Sequence, residues 1–211
     1  MLGKSQLLEM LTIFDEKIGL KKSELYYKNP YTFAVAVLLS AQSTDKIVNV
    51  ATKTLFDLAD NPEDMLKLGV DEIKKHIKII GFFNVKARHI IDMSKMIISD
   101  FNGVLPDNRE DLMSLPGIGR KLANVILNEL YLAPTIGVDT HVLRLVKRLG
   151  LMDDKFKTPE EVEFELERII PQKYKPFISN YLVLFGRYVC KAKNPDCVNC
   201  YMKKFCKVCK K

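Results

Sequence analysis

No stretch of this 211-residue sequence stays apolar long enough to cross a bilayer: the longest run, FAVAVLLSA at 33–41, falls short of the roughly 20 residues a spanning helix needs. Nor does any segment show the sustained apolar/polar alternation of a strand, a repeat of fixed period or low complexity. Those absences exclude a helical membrane protein, a β-rich fold, a solenoid and a disordered tail. The N-terminus, MLGKSQLLEMLTIFDEK, lacks a small-residue cleavage site, and Glu9, Asp15 and Glu16 break its apolar run, so it does not read as a signal peptide. A soluble, cytoplasmic protein is expected.

What the sequence does have is enough apolar content, 47% hydrophobic beside 28% charged residues, to bury a core in one domain or two small lobes. Lys and Arg outnumber Asp and Glu 33 to 26, a formal charge of +7, which favours an acidic partner; nucleic acid ranks ahead of an anionic membrane because no lipid-binding segment stands out. Nearly every segment carries helical periodicity. In TDKIVNVATKTLFDLA the residues Ile47, Val50, Ala51, Leu55 and Leu58 fall at three-and-four spacing and define one buried face. Asn61-Pro62-Glu63 and Thr158-Pro159-Glu160-Glu161 read as helix starts, each with a capping side chain, a proline and then acids. Further amphipathic runs cover 5–17, 70–80, 84–99, 139–149 and 174–189, with breaks at 28–30, 81, 102–103, 115–119, 134 and 150. Short connections between so many helices predict a compact all-α protein.

The break at Pro116-Gly117-Ile118-Gly119 joins DLMSL to RKLANVILNELYL and reads as a helix-hairpin-helix. Its glycines let successive backbone N–H groups point outward together, and such a nest at a helix N-terminus binds an anion without a side chain. An ordinary turn between helices fits the same residues. A dinucleotide fingerprint fits worse, since Leu122 stands where its third glycine belongs and no strand precedes. The next helical turn holds Arg120 and Lys121 where acids are the favourable choice, so either the turn is simply wet or something negative comes to it. Lys121, Asn124 and Asn128 form a polar stripe on an otherwise apolar helix, expected to border a cleft or a solvent-facing seam. In a partly buried site at the positive end of a helix, desolvation and dipole both disfavour the charged amine, and a lysine becomes a nucleophile near neutral pH. The alternative is a solvated surface lysine.

VDTHVLRLVKRLG (138–150) supplies Asp139, which suits a helix N-cap and, near Lys121, a group that takes the amine's proton or stabilises a cationic sugar. His141, in the same turn, has no partner in the sequence and reads first as a packed or hydrogen-bonded residue. Arg144, Lys147 and Arg148 form a basic face, solvated or touching phosphates. Near the C-terminus stands Cys190-x6-Cys197-x2-Cys200-x5-Cys206, with Cys209 beyond. In a reducing compartment such a cluster points to a metal rather than to disulfides, and thiolates in fours bind zinc or an iron-sulfur cluster. A zinc ribbon would use Cys197, Cys200, Cys206 and Cys209, but their five-residue gap is far shorter than the linker such pairs need.

Taken in order, LLSAQSTD (38–45), GFFNVKA (81–87), LPGIGRKLANVILN (115–128), VDTHVLRLVKRLG and the six-two-five cysteine spacing resemble the endonuclease III family of DNA repair glycosylases. The resemblance implies two helical lobes flanking a DNA-binding cleft: residues 22–133 as a central barrel with the helix-hairpin-helix, and residues 1–21 plus 134–211 as a discontinuous domain carrying a 4Fe-4S cluster. It implies Lys121 as nucleophile and Asp139 as its essential partner. It makes Cys190, Cys197, Cys200 and Cys206 the cluster ligands, and Cys209 a spare thiol. Gln42 and Phe82 resemble the residues that enter the duplex as the damaged nucleotide leaves; Phe82 stands where many members carry Leu. Gly117, Gly119 and Arg120 would hold phosphates, with His141, Lys191 and Lys193 as further DNA contacts.

The implied activity is removal of oxidised pyrimidines from damaged double-stranded DNA through a lysine Schiff base, with strand cleavage 3′ to the abasic site, by a monomer associated with the nucleoid. Two rivals remain: a mismatch-type glycosylase of the same superfamily, and a non-enzymatic helix-hairpin-helix DNA-binding protein.

Overall fold

A computed structural model describes residues 2–19 and 23–208. Among the described residues every regular element is helical: α1 (Lys4–Ile18), α2 (Pro30–Ser40), α3 (Asp45–Leu58), α4 (Pro62–Ile77), α5 (Phe83–Phe101), α6 (Arg109–Ser114), α7 (Arg120–Tyr131), α8 (Thr140–Arg148), α9 (Pro159–Ile169) and α10 (Lys175–Tyr188), with two short 3-10 turns. No helix among them is long and apolar enough to cross a membrane. The chain divides into two compact units, a continuous one of Ser23–Leu132 and a discontinuous one of Met1–Lys22 with Ala133–Lys211.

Helix starts follow local chemistry. Asn29, Thr44, Asn61, Asn108, Asp139 and Thr158 each accept a backbone N–H three residues on, and Pro30, Pro62 and Pro159 open their helices with a ready-made φ and no orphaned donor. Both starts expected from sequence, at Pro62 and Pro159, are found. The periodic run at 70–80 proves to be the second half of α4, which passes through Gly69 at φ 79° and is kinked there.

In the continuous unit α2 is the central element, with every residue from Tyr31 to Leu39 buried. The longest apolar run is therefore core. Around it pack α3, α5 and α7. The buried face of α3 differs from the one expected: Val48, Ala51, Thr52, Leu55 and Phe56 face inward, while Ile47, Val50 and Leu58 are exposed. Rotating the helix this way buries the Phe56 ring, which stacks on Tyr26 at 6.3 Å, and the buried Thr52 hydroxyl is satisfied by the Val48 carbonyl at 3.0 Å.

In the discontinuous unit the N-terminal helix is core. Leu7, Met10, Leu11 and Phe14 of α1 join one apolar cluster with Val142, Leu145 and Val146 of α8, Tyr181, Leu182 and Phe185 of α10, and Met202 and Phe205 beyond. Phe14 meets Tyr181, Phe185 and Tyr201 at ring-centroid distances of 5.8, 5.5 and 6.4 Å. The Tyr181 hydroxyl donates to Asp15 Oδ1 at 2.6 Å, so the residues on either side of the chain's middle are fastened by polar as well as apolar contacts.

Candidate nucleic-acid interface and catalytic residues

The hairpin is built by backbone. α6 ends at Ser114, Gly117 takes φ 84°, and Gly119 caps α7 with no side-chain hydrogen bond to its first N–H groups. The start of α7 thus has no side-chain cap at Gly119 and no acid in its first turn. Gly117 is required twice over. Its φ favours glycine, and a Cβ there would lie 2.8 Å from His89 Nδ1 and 3.0 Å from Leu38 Cδ1. Gly117→Ala is expected to cost about 1–3 kcal/mol in chemical denaturation; an unchanged midpoint would show that the turn relaxes freely.

Gly117 and Gly119 are exposed and Arg120 is half-buried. Lys121 is exposed, not partly buried as the sequence suggested, because α7 turns Ala123, Ile126 and Leu127 inward and leaves its first turn outside. The expected polar stripe is split for the same reason: Asn124 is wholly buried and Asn128 half-buried.

Within the same unit one cavity of about 260 Å³ is lined by Leu38, Ala41, Gln42, Phe82, Val85, Lys86, His89 and Gly117. It gathers residues from LLSAQSTD, GFFNVKA and the hairpin, three motifs far apart in sequence. Gln42 and Phe82 both stand in the left-handed region, at φ 56° and 59°, and Phe82 is 69% exposed. A bulky residue there is strained by about 1–3 kcal/mol, a cost met with at sites where a side chain must be presented rather than packed. Sequence reading missed two lining residues. Lys86 is buried, and its Nζ donates to the carbonyls of Leu39 at 2.9 Å and Ala41 at 2.6 Å; burial lowers its pKa. His89 lies against Gly117.

The discontinuous unit carries the remaining candidates. Asp139 is half-buried and its Oδ1 accepts the Val142 N–H at 2.9 Å, the capping role its position suggested. His141 Nδ1 sits 3.2 Å from Arg144 Nη2 and beside Gly186. Desolvation lowers its pKa first, and the cations of Arg144 and Arg187 press the same way against Asp139.

The expected basic face is largely internal wiring. Arg144 donates to the carbonyls of Gly186 and Cys190, and Arg148 to those of Lys191 and Ala192. Arg148 also places Nη1 3.4 Å from Cys190 Sγ, while its own carbonyl accepts the Lys207 N–H at 2.8 Å. One residue thus grips the cysteine loop at both ends. Arginine's planar fork suits such multiple acceptance by carbonyls.

Cys190 and Cys206 are buried, Cys197 and Cys200 half-buried, and none is in a disulfide. Among the described residues no three His, Cys, Asp or Glu side chains converge tightly enough to hold a metal ion. Burial pushes the Cys200 thiol up, and Cys190, Cys206 and Cys197 push it the same way. Lys191 and Lys193 are exposed on the loop between the first two cysteines. Cys209 lies outside the described residues, as do residues 21 and 22 at the expected domain boundary.

A hairpin with an open helix end, beside a cavity that presents two strained side chains, defines a helix-hairpin-helix protein. In agreement, residues 35–172 match the HhH-GPD superfamily of base excision DNA repair proteins. Endonuclease III of Rickettsia felis is 48% identical over 198 residues, covering 94% of this chain and 92% of that one. Endonuclease III of Escherichia coli is 40% identical, covering 97% of this chain and 96% of that one. The solved structure of a trapped endonuclease III–DNA covalent intermediate superposes with a TM-score of 0.93 at 38% identity, covering 100% of this chain and 98% of that one. The chain belongs to the endonuclease III family.

Proposed function

We propose that this protein is a bifunctional DNA glycosylase and abasic-site lyase of base excision repair, acting on oxidised pyrimidines in duplex DNA. The observation that carries the reading is the shared cavity of Gln42, Phe82 and Gly117 beside the start of α7: insertion residues and phosphate nest lie on one unit with Lys121 at the next turn. Likeness to an endonuclease III trapped covalently on DNA supports it.

A base inside a duplex is out of reach, so the nucleotide must be flipped out and the vacated stack filled. Gln42 fills and hydrogen-bonds; Phe82 wedges. The N–H groups of Gly117 and Gly119 and the Arg120 guanidinium take phosphates, with His141, Lys191 and Lys193 as further backbone contacts. The Lys121 amine attacks C1′ of the deoxyribose; the N–C1′ bond forms as the bond to the damaged base breaks and the base departs, and Asp139 assists by accepting the amine's proton or balancing positive charge on the sugar. The sugar opens to a Schiff base on Lys121. Loss of a C2′ proton then expels the 3′ phosphate and cuts the strand. The cations at the start of α7, unfavourable to the helix alone, are matched by the negative charge of DNA.

Cys190, Cys197, Cys200 and Cys206 would hold a 4Fe-4S cluster, and their fit rests on four neighbouring soft thiols with the Arg148 cation against one of them. Cys190, Cys197, Cys200 and Cys206 would thereby be tied together, and such a group would serve as a structural staple for the loop. Arg148 holds the carbonyls of Lys191 and Ala192 and so aims the loop's lysines. The protein acts as a monomer in the cytoplasm, at the nucleoid.

The test is borohydride trapping on duplexes containing an oxidised thymine or an abasic site, with undamaged duplex as control. A covalent adduct on both damaged duplexes is expected. An adduct on the abasic duplex alone leaves a lyase whose base substrate lies elsewhere, as a mismatch-type enzyme would; no adduct on either favours the non-enzymatic DNA-binding protein.

A further inference from the structure

Gln42 and Phe82 come from different ends of the continuous unit's sequence pattern, the exit of α2 and the entry of α5, yet both must enter one vacated stack. One residue touches both exits. The Lys86 backbone N–H bonds the Phe82 carbonyl at 3.1 Å, and its Nζ bonds the carbonyls of Leu39 and Ala41, the latter immediately before Gln42. Its ammonium also meets the negative end of the α2 dipole, where carbonyls have no intrahelical partner. Nothing else in this pocket explains a lysine 7% exposed on the buried side of an amphipathic helix. Of the three carbonyls it bonds, one belongs to the left-handed Phe82 and one to Ala41 beside the left-handed Gln42, and such conformations persist only where neighbours over-determine them.

We infer that Lys86 is a positioning residue for DNA insertion: it locks the Gln42 and Phe82 turns to each other, so that the two side chains enter the duplex as one preformed unit. The inference rests on the proposed DNA-repair reading for its purpose, while the lock itself is a property of the unit. It acts through Gln42 and Phe82 and touches neither sugar nor base. Pre-setting their separation spares the ordering of two turns at the moment of binding, which raises affinity for the opened duplex.

The experiment is a mutant cycle read on a duplex with a stable abasic-site analogue and 2-aminopurine opposite it. Lys86→Met, of similar length but without the donors, is made in the natural sequence and in a Gln42→Ala/Phe82→Ala background. In the natural sequence Lys86→Met is expected to lower affinity about tenfold and to reduce the fluorescence change that reports insertion. In the background that lacks both insertion side chains it should cost nothing further, because energies of residues acting as one unit do not add.

Equal losses in both backgrounds, or none in either, overturn the inference. A merely structural lysine gives the former. Lys86→Gln, which keeps a donor without the reach to both carbonyls, enters the same cycle if Lys86→Met does not fold, and should fall between. Trapping of the unaltered protein on a true abasic duplex runs alongside. Absence of an adduct with a non-additive cycle sinks the enzymatic reading and keeps the lock; an adduct with equal losses does the reverse.

Discussion

Lys121→Gln should abolish the trapped adduct and strand cleavage, lowering the rate on an abasic duplex by about 10³-fold or more, while Kd for the same duplex with a stable analogue changes by less than about tenfold. The asymmetry follows from the position of the residue. Lys121 is exposed in the first turn of α7, so glutamine replaces it with no core to disturb and no cap to lose. The proposed phosphate nest is backbone and the proposed insertion residues are in other turns, so both survive. Only the amine goes, and with it the proposed nucleophile. Loss of a phosphate-contacting cation would instead weaken binding and its salt dependence together. A variant that cuts at the rate of the natural protein would remove Lys121 from the nucleophile's role; one that fails to bind would make it a phosphate contact, as the non-enzymatic reading requires.

Cys200→Ser carries the second large effect. Cys200 is one of the four thiols of the proposed ligand set, and it is half-buried. The variant should be purified without iron or visible charge-transfer absorption, should melt at a lower temperature, and should bind abasic duplex about 10–100-fold more weakly. Residues 191–199 of the loop are exposed or half-buried and carry no core of their own, whereas Met202 and Phe205 beyond them are buried. That stretch is held by Arg148 at the carbonyls of Lys191 and Ala192 and by the Asp196 N–H on the Val189 carbonyl. Iron content and duplex affinity are measured on the same preparation. Iron-free protein with undiminished affinity would separate the cluster from DNA binding, and natural protein that never takes up iron would remove it altogether.

The legible parts of this molecule were those in which backbone chemistry is written in residue type. Proline behind a capping side chain marked α4 and α9, and Pro-Gly-x-Gly marked the hairpin. Side chains whose partners lie far along the chain were not legible. The face of α3 was misjudged because both candidate stripes are apolar, and what decides between them is the Phe56 ring against Tyr26. Lys86 was passed over because a lysine on an amphipathic helix reads as solvent-facing; only the ending of α2 supplies the carbonyls that draw it inward. Arg144 and Arg148 looked like part of a basic face, solvated or touching phosphates, for the same reason, although their acceptors lie about 40 residues on. Lys121 was expected to be partly buried because the composition of α7 is apolar. Composition does not say which turn of a helix ends outside.

The packing of α1 also bears on how the chain is made. Its apolar face, Leu7, Met10, Leu11 and Phe14, is covered by residues from Val142 to Phe205. On a ribosome the continuous unit emerges whole and can fold while α1 still waits for its partners. At roughly 5–20 residues per second that wait lasts on the order of 7–25 s before α8 has been made, and longer before α10 and the cysteine loop follow. Through that interval α1 is an exposed amphipathic segment, and residues made only after the whole continuous unit complete the core it belongs to.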